Sequence, residues 1–455
     1  MDGLLLHTPC GDVQGVPGKR GCRAFKGIRY ATAGRWEYPV PVTHWDGVYQ
    51  ADAFGACCYQ PRAFYNEEDA PQKAFYYNEF RKGEHYDYSE DCLFLNVWTP
   101  PAAEKAPVVF YIHGGGFIGG CGHEKHFDGA ALCKQGAVVV TINYRLGPLG
   151  FCCLPELQAE AGHTGNYALY DQLCALQWVH DNIAAFGGDG DNITIMGQSA
   201  GAMSVQQLSV SPLTKGLVSR AVMLSGGGVS NLFGGAKPQE ENFGFWQAMM
   251  EKAGAATLAD FRAVEPAALF AAFNALLAEH KGRQMACVPV LDGRLLPESA
   301  ADAVAAGRQL AVPYLMCSTS EDMMPPIIHK MAKDWARRQA DQGRCPSYTG
   351  FFCRQLPGDD AGAWHSSDLW YWFGTLENGW RPFTEWDHAL SDAMVRYLAN
   401  FARTGDPNGA DLPHWLPTEK GQNQVLRLGD KDIRMGGVSI AKLTRTMMTK
   451  PNVGE

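Results

Sequence analysis

The chain has 455 residues, with 39 Lys and Arg against 48 Asp and Glu, a net charge of −9, and 46% hydrophobic residues. That balance supplies a full hydrophobic core and excludes a disordered chain, while the acidic excess leaves nothing to neutralise a run of nucleic-acid phosphates. No apolar run nears the ~18 residues a membrane span needs; Ala137–Ile142 is typical of the longest.

Met1–Val13 has an acidic second residue and only three consecutive leucines. It does not read as a signal peptide, so a cytoplasmic location is expected. Fourteen cysteines in a chain of this length read as reduced structural thiols. The adjacent pairs Cys57–Cys58 and Cys152–Cys153 are poor disulfide material, there is no C-x-x-C, and Cys133 and Cys174 sit in apolar periodic stretches.

In chain order, 93–98, 108–112, 138–142, 193–196, 221–224 and 312–316 read as strands. Most are apolar on both faces, which suits the buried centre of a parallel or mixed sheet. Leu169, Leu173, Leu176, Val179 and Ile183 keep a helical period that Gly187 ends as a left-handed cap. The Ala-rich stretch 230–285 has a capping-box start at Thr257–Asp260 and no strand signal, and reads as a helical insertion over the sheet. A late helix carries Leu390, Met394, Leu398 and Phe401 on one face, with Asp387 as its expected N-cap and Gly405 after it. The alternation predicts a doubly wound α/β sheet with helices on both faces, and no linker divides 1–455 into separate domains.

The one G-x-S-x-G, Gly197-Gln-Ser-Ala-Gly201, lies between a strand and a helical pattern. A turn that tight strains the central serine and needs glycine two residues to each side. It lifts the Ser199 hydroxyl over the carboxyl end of the sheet, at the start of a helix. Strand 108–112 runs into His113-Gly-Gly-Gly-Phe117, a loop whose backbone N–H groups can converge on an oxyanion because no Cβ intrudes. The same glycines spell G-x-G-x-x-G (Gly114, Gly116, Gly119), but Cys121–Gly129 follows where a dinucleotide site needs a helix.

A serine hydroxyl needs a histidine to take its proton and a carboxylate to orient that histidine. Of thirteen histidines, His365 is late in the chain and follows small residues, as a loop histidine over the sheet should. His113 belongs to the glycine loop, His180 has Asp181 beside it on a helix, and His329, His388 and His414 read as surface residues near helix starts or turns. Strand 312–316 delivers Glu321 and Asp322 just past its carboxyl end, and spacing alone does not choose between them. The order serine, acid, histidine is that of α/β-hydrolases.

These residues resemble the type-B carboxylesterase/cholinesterase family over most of the chain. The likeness is carried by Phe25–Ala31, Ser89–Val97, Asn143–Phe151, Gly165-Asn166, Asp171-Gln172, Phe186–Asp189, Ser211–Leu217, Asp292-Gly293 and Phe401–Asn408, in the right order. Bacterial para-nitrobenzyl-esterase-like enzymes are the nearest in pattern. The resemblance implies an α/β-hydrolase fold and a cofactor-free esterase. It makes Ser199 the nucleophile, His365 the base, and the N–H groups of Gly115, Gly116 and Ala200 the oxyanion donors. The family's acid, usually the Glu of D-E-G, falls on Asp322; Glu321 stands where the preceding Asp would be and stays the second candidate. A shorter interval than the family's, 42 residues between Asp322 and His365, implies a more open or reshaped acyl side. The family's first disulfide maps onto Cys58 and Cys92, expected here as two close thiols. A histidine base has to be neutral, so activity is expected to rise through about pH 6–7.

Residues 65–91 hold eight acids against Lys73, Arg81 and Lys82, with seven Tyr and Phe interleaved. In the resembling family this segment borders the gorge mouth, so it reads either as aromatic walls for bulky or cationic esters or as a solvated acidic loop. Trp364, Trp370 and Trp372 pose the same choice between pocket and core. Other chemistries fit less well. Ser439–Lys442 matches S-x-x-K without its partner motifs, and His123–His126 lacks the i, i+4 spacing of two helical metal ligands. A binding-only relative would have lost the nucleophile, whereas a thioesterase or amidase would use the same triad and stays the alternative. The partner expected is a small-molecule ester, with the chain a monomer or homodimer.

Overall fold

The computed structural model describes residues 3–71, 74–229, 235–279 and 287–450. Met1, Asp2, Lys73 and both margins of the 230–285 insertion therefore lie outside the described residues. An 11-stranded mixed sheet forms the centre. Its strands are β1 (Val16–Pro17), β2 (Arg23–Arg29), β3 (Phe94–Thr99), β4 (Ala106–Ile112), β5 (Val138–Ile142), β6 (Gly188–Gln198), β7 (Arg220–Leu224), β8 (Tyr314–Thr319), β9 (Ser347–Phe352), β10 (Gln424–Leu428) and β11 (Ile433–Gly437). They lie in the order β11-β10-β9-β8-β7-β6-β4-β5-β3-β2-β1. The run from β10 to β5 is parallel, and antiparallel strands finish both margins.

The six expected strands all belong to this sheet. β1, β2 and β9–β11 were not expected: β2 has a charged residue at both ends and in the middle, and the others are short or marginal. Strand β6 runs back to Gly188, well before the apolar stretch at 193–196, because its first half is the polar GDGDN.

Every residue of β4 and β5 is buried, so the sheet is covered on both sides. Val108, Phe110 and Ile112 pack with Leu169 and Leu176 of helix Tyr167–Asn182 and Val205 and Leu208 of helix Ala200–Val210. Val109 and Tyr111 point the other way, into the core formed by Leu390, Met394, Leu398 and Phe401 of helix Glu385–Thr404. The cap of that last helix is Thr384, not Asp387. Asp387 is its third residue and returns a carboxylate to the Thr384 N–H, a capping box that reading Asp387 alone misses.

The described part of this stretch, 235–279, carries helices at Glu240–Lys252, Leu258–Ala263 and Pro266–Glu279, and Thr257 and Asp260 form the expected box. A two-residue strand, Lys237–Pro238, pairs with Val290–Leu291 at its base and was not expected. His329 is a further departure. It is buried on helix Pro325–Asp341, within 3.0 Å of the Ser318 hydroxyl, because that helix packs its Ile328–Ala332 face on the sheet. No helix among the described residues is long and apolar enough to cross a membrane.

Candidate active site

Register brings distant segments to one edge. Ile112 pairs with Gly197, Gln198 with Leu224, and Leu224 with Cys317, so the carboxyl ends of β4, β6, β7 and β8 lie side by side. The strand order reverses at β4, and a ligand crevice is expected just beyond such a point.

The elbow is held by sterics. Ser199 sits at φ 56°, ψ −124°, outside any ordinary basin for a side-chain residue. A Cβ on Gly197 would lie 2.2 Å from the Gly201 carbonyl, and one on Gly201 would lie 2.1 Å from that of Ile112. The Ser199 N–H donates to the Leu224 carbonyl at 2.9 Å, tying the turn to β7. Helix Ala200–Val210 starts at the next residue, so Ala200 presents a free-end N–H beneath the hydroxyl. The glycine loop abuts the same turn: a Cβ on Gly114 would meet the Gln198 carbonyl at 2.7 Å. Gly115 (φ +112°) has no room for a side chain against Gly119, whereas Gly116 (φ +62°) has room and needs glycine for its dihedral. His113 anchors the loop from beneath: its carbonyl accepts from the Tyr144 hydroxyl at 2.7 Å, and burial pushes its imidazole down to about 4.

The two candidate acids part company beyond β8. Asp322 Oδ1 accepts from His365 Nδ1 at 2.5 Å, and its Oδ2 accepts the Thr319 N–H at 3.2 Å. Burial drives the Asp322 carboxyl upward, but the His365 charge and hydrogen bond outweigh it, so the net shift is downward. Glu321 instead faces the chain that carries the histidine: its carboxylate accepts the Ala363 N–H at 2.9 Å, and its own N–H donates to the Ala363 carbonyl at 3.0 Å. One acid thus holds the ring and its neighbour holds the loop.

One residue missed in the sequence also reaches the histidine, and a second lies buried three residues beyond it. Gln198 Nε2 lies 3.2 Å from His365 Nε2, so the amide donates to the nitrogen lone pair that would take the serine proton. Its position beside Ser199 was the only available signal. Asp368, three residues past His365, is fully buried with the Trp372 indole donating to Oδ2 at 3.1 Å. Burial and then the charge of Asp322 push its carboxyl up to about 7.

Ser199, His365 and Gly114–Gly116 line one cavity of about 390 Å³. Tyr65, Tyr76 and Phe80 of the acidic segment line it too, beside Arg62, Arg81, Glu67 and Glu124. The segment is partly a cavity wall and partly a solvated loop, with Glu68, Asp69, Lys82–His85 and Asp87 exposed, and ion pairs tie it to the rest of the chain. Arg81 grips Glu67 at 2.6 and 2.9 Å, Arg62 donates to Glu124 at 2.7 Å, and Glu79 is buried against Arg381 at 2.6 Å. Against its burial, Arg62 and Arg81 hold the Glu124 carboxyl down to about 2. Trp364, Trp370 and Trp372 are wholly buried and belong to the core. Cys58 and Cys92 are both buried free thiols, and Cys58 together with burial pushes the Cys92 thiol well up.

Fold and site together define an α/β-hydrolase. A model of the carboxylesterase family matches residues 2–344 and 328–444, and the chain belongs to that family. It is 36% identical over 330 residues to the para-nitrobenzyl esterase of Bacillus subtilis, a match covering 71% of this chain and 63% of that protein, a little under two thirds of its length. It is 30% identical to human bile salt-activated lipase over 544 aligned residues, 97% of this chain and 68% of the lipase. That alignment is longer than the chain itself, so the lipase carries segments with no counterpart here. Among solved structures, a thermophilic PNB esterase superposes with a TM-score of 0.83 at 27% identity, covering 97% of this chain and 99% of the other.

Proposed function

We propose that the chain is a serine carboxylesterase of one domain spanning 1–455, acting on small carboxylic esters with short- to medium-chain acyl or aryl groups. The observation that carries this reading is the His365–Asp322 bond of 2.5 Å together with a strained Ser199, with His365 and Ser199 lining one cavity. His365 Nε2 takes the Ser199 proton as the serine oxygen attacks the ester carbonyl carbon. The N–H groups of Gly115, Gly116 and Ala200 receive the oxyanion; a single such donor is worth about 100- to 1,000-fold in rate. The carbon–oxygen bond to the alcohol breaks, and the alcohol leaves with the proton from His365. Water, deprotonated by the same nitrogen, then releases the acid and restores Ser199. Asp322 stays ionised throughout, keeps Nδ1 as the protonated nitrogen and steadies the imidazolium. None of these steps needs a cofactor.

The names of the relatives support ester substrates of varied size, and a cavity of about 390 Å³ suits the smaller ones. The short interval before His365 supports a more open acyl side than in longer relatives. Likeness to a Bacillus subtilis enzyme supports a bacterial source, and a cytoplasmic monomer or homodimer stays the expectation. The test is hydrolysis of para-nitrophenyl acetate, butyrate and octanoate by the wild type and Ser199→Ala. Turnover of the short esters that falls by about 10⁴–10⁶-fold in the variant is expected. A folded wild type inert on all three would overturn the general-esterase reading in favour of a binding protein on this fold.

A further inference from the structure

Outside the catalytic cavity, the fold assembles three ligating side chains that are far apart in sequence. Cys57 lies in a short strand, Cys57–Cys58, paired with Tyr88–Ser89, and Cys121 and His123 lie in the segment that leaves the glycine loop. One ligand atom from each comes within 4.8 Å of the other two. We propose that Cys57, Cys121 and His123 bind one thiophilic divalent cation of the zinc class.

The geometry suits such an ion. Cys57 Sγ and His123 Nε2 are 3.6 Å apart. With metal–sulfur bonds of about 2.3 Å and metal–nitrogen bonds of about 2.0–2.1 Å, the S···N edge of a tetrahedron is also about 3.6 Å. Charge suits it as well: two thiolates and a neutral imidazole cancel the ion's +2, as a buried site demands. Binding releases two thiol protons to solvent and breaks no other bond. The thiols are 0% and 1% exposed, while His123 is partly exposed and stacked on the exposed ring of Phe54, which leaves a route in.

A second feature points the same way. Arg62, whose side chain is 7% exposed, leaves Nε and Nη2 buried without a hydrogen-bond partner; its guanidinium lies 5.5 Å from the centre of the Tyr86 ring, which in turn packs 5.6 Å from the His123 ring. The Tyr86 hydroxyl is also buried and unpartnered. Unmet donors near two thiols and an imidazole are what an ion with an open fourth position would use, through its water or an anion. Its place in the molecule is a staple. Gln60, three residues after Cys57, exchanges hydrogen bonds of 2.9 and 3.1 Å with Gly120, so the ion would fasten the two strands of chain that brace the glycine loop. The sequence offered no C-x-x-C or H-x-x-x-H because the ligands come from two segments.

The test uses full-length protein, reduced and stripped with a chelator, then titrated with Co²⁺ and back-titrated with Zn²⁺. One Co²⁺ per chain is expected, with a thiolate-to-cobalt charge-transfer band and tetrahedral d–d bands that Zn²⁺ abolishes. Cys57→Ser and Cys121→Ser should each weaken binding at least 100-fold and diminish the charge-transfer band, and His123→Ala should weaken it at least tenfold. Cys345→Ser, a half-buried thiol elsewhere, should bind as the wild type does. Circular dichroism certifies folding. A folded wild type that takes up no cobalt overturns the proposal whatever the variants do, as does a charge-transfer band that survives in the Cys57→Ser/Cys121→Ser double variant.

Discussion

The elbow and the histidine loop reach the same cavity by opposite means. Around Ser199 the chain is held by what cannot fit: Gly197 and Gly201 leave no space for a methyl group, and the serine is strained into place by its own neighbours in sequence. Around His365 the chain is held by what is bonded to it. Glu321 and Asp322, adjacent just past β8 but more than 40 residues upstream, fix the backbone and the ring respectively. Local sterics position Ser199, the proposed nucleophile, and long-range carboxylate bonds position His365, the proposed base. Damage to the two halves should therefore look different.

The sharpest contrast lies between the paired acids. Asp322→Asn keeps the shape but removes the charge that sets the histidine tautomer, and should lower kcat by about 10⁴-fold with the fold intact. Glu321→Gln can still accept the Ala363 N–H, so its loss should stay within about tenfold, the size of one hydrogen bond. Comparable losses in both, by steady-state kinetics on para-nitrophenyl acetate, would break the division of labour.

Glycine replacements probe stability. Gly201→Ala drives a methyl to 2.1 Å from a backbone carbonyl in the sheet, and should cost more than about 4 kcal/mol or prevent folding. Gly362→Ala, at φ +77° and 2.8 Å from the Glu321 side chain, meets a carboxylate that can move, and should cost about 1–2 kcal/mol. Thermal midpoints give the order.

Acid should unfold the protein through its buried histidines. Burial holds His113 and His329 down to about 4 and His126 to about 3, well below the ordinary value of about 6.5. The unfolded chain therefore binds protons first, and stability falls as pH drops from about 6.5 toward 4, each residue contributing up to roughly 3 kcal/mol. His329→Gln should flatten the midpoint-against-pH curve in that window.

Asp368 has the opposite sign. Its folded carboxyl is pushed up to about 7, so wild-type stability is lost as pH rises from about 4 to 7. Asp368→Asn cannot ionise, and its midpoint should gain on the wild type between pH 5 and 8. A constant difference would show that Asp368 is already charged at pH 5.

The same local-versus-distant divide explains what was legible in the sequence. The elbow, the glycine loop and the central strands are contiguous patterns, and residues 108–112 and 138–142 announce their burial by being apolar on both faces. The choice between Glu321 and Asp322 was illegible because both follow one strand, and only the tertiary path of 361–365 tells them apart. Asp387 was misread as a cap because Thr384 lies outside the apolar period, and His329 was misread as exposed because its helix ends its approach to the sheet on that face. The ion pairs that absorb the acidic segment, such as Glu79–Arg381 across some 300 residues, leave no local trace.

The assignment of Ser199 as nucleophile is tested most directly by covalent capture. Intact wild type is treated with a fluorophosphonate at pH 8, and the adduct is located by peptide mass spectrometry. The expected result is one phosphonyl group per chain on Ser199, with labelling abolished in Ser199→Ala and slowed by about 10⁴-fold in Asp322→Asn. An adduct on another serine, or labelling undiminished in Ser199→Ala, would contradict it.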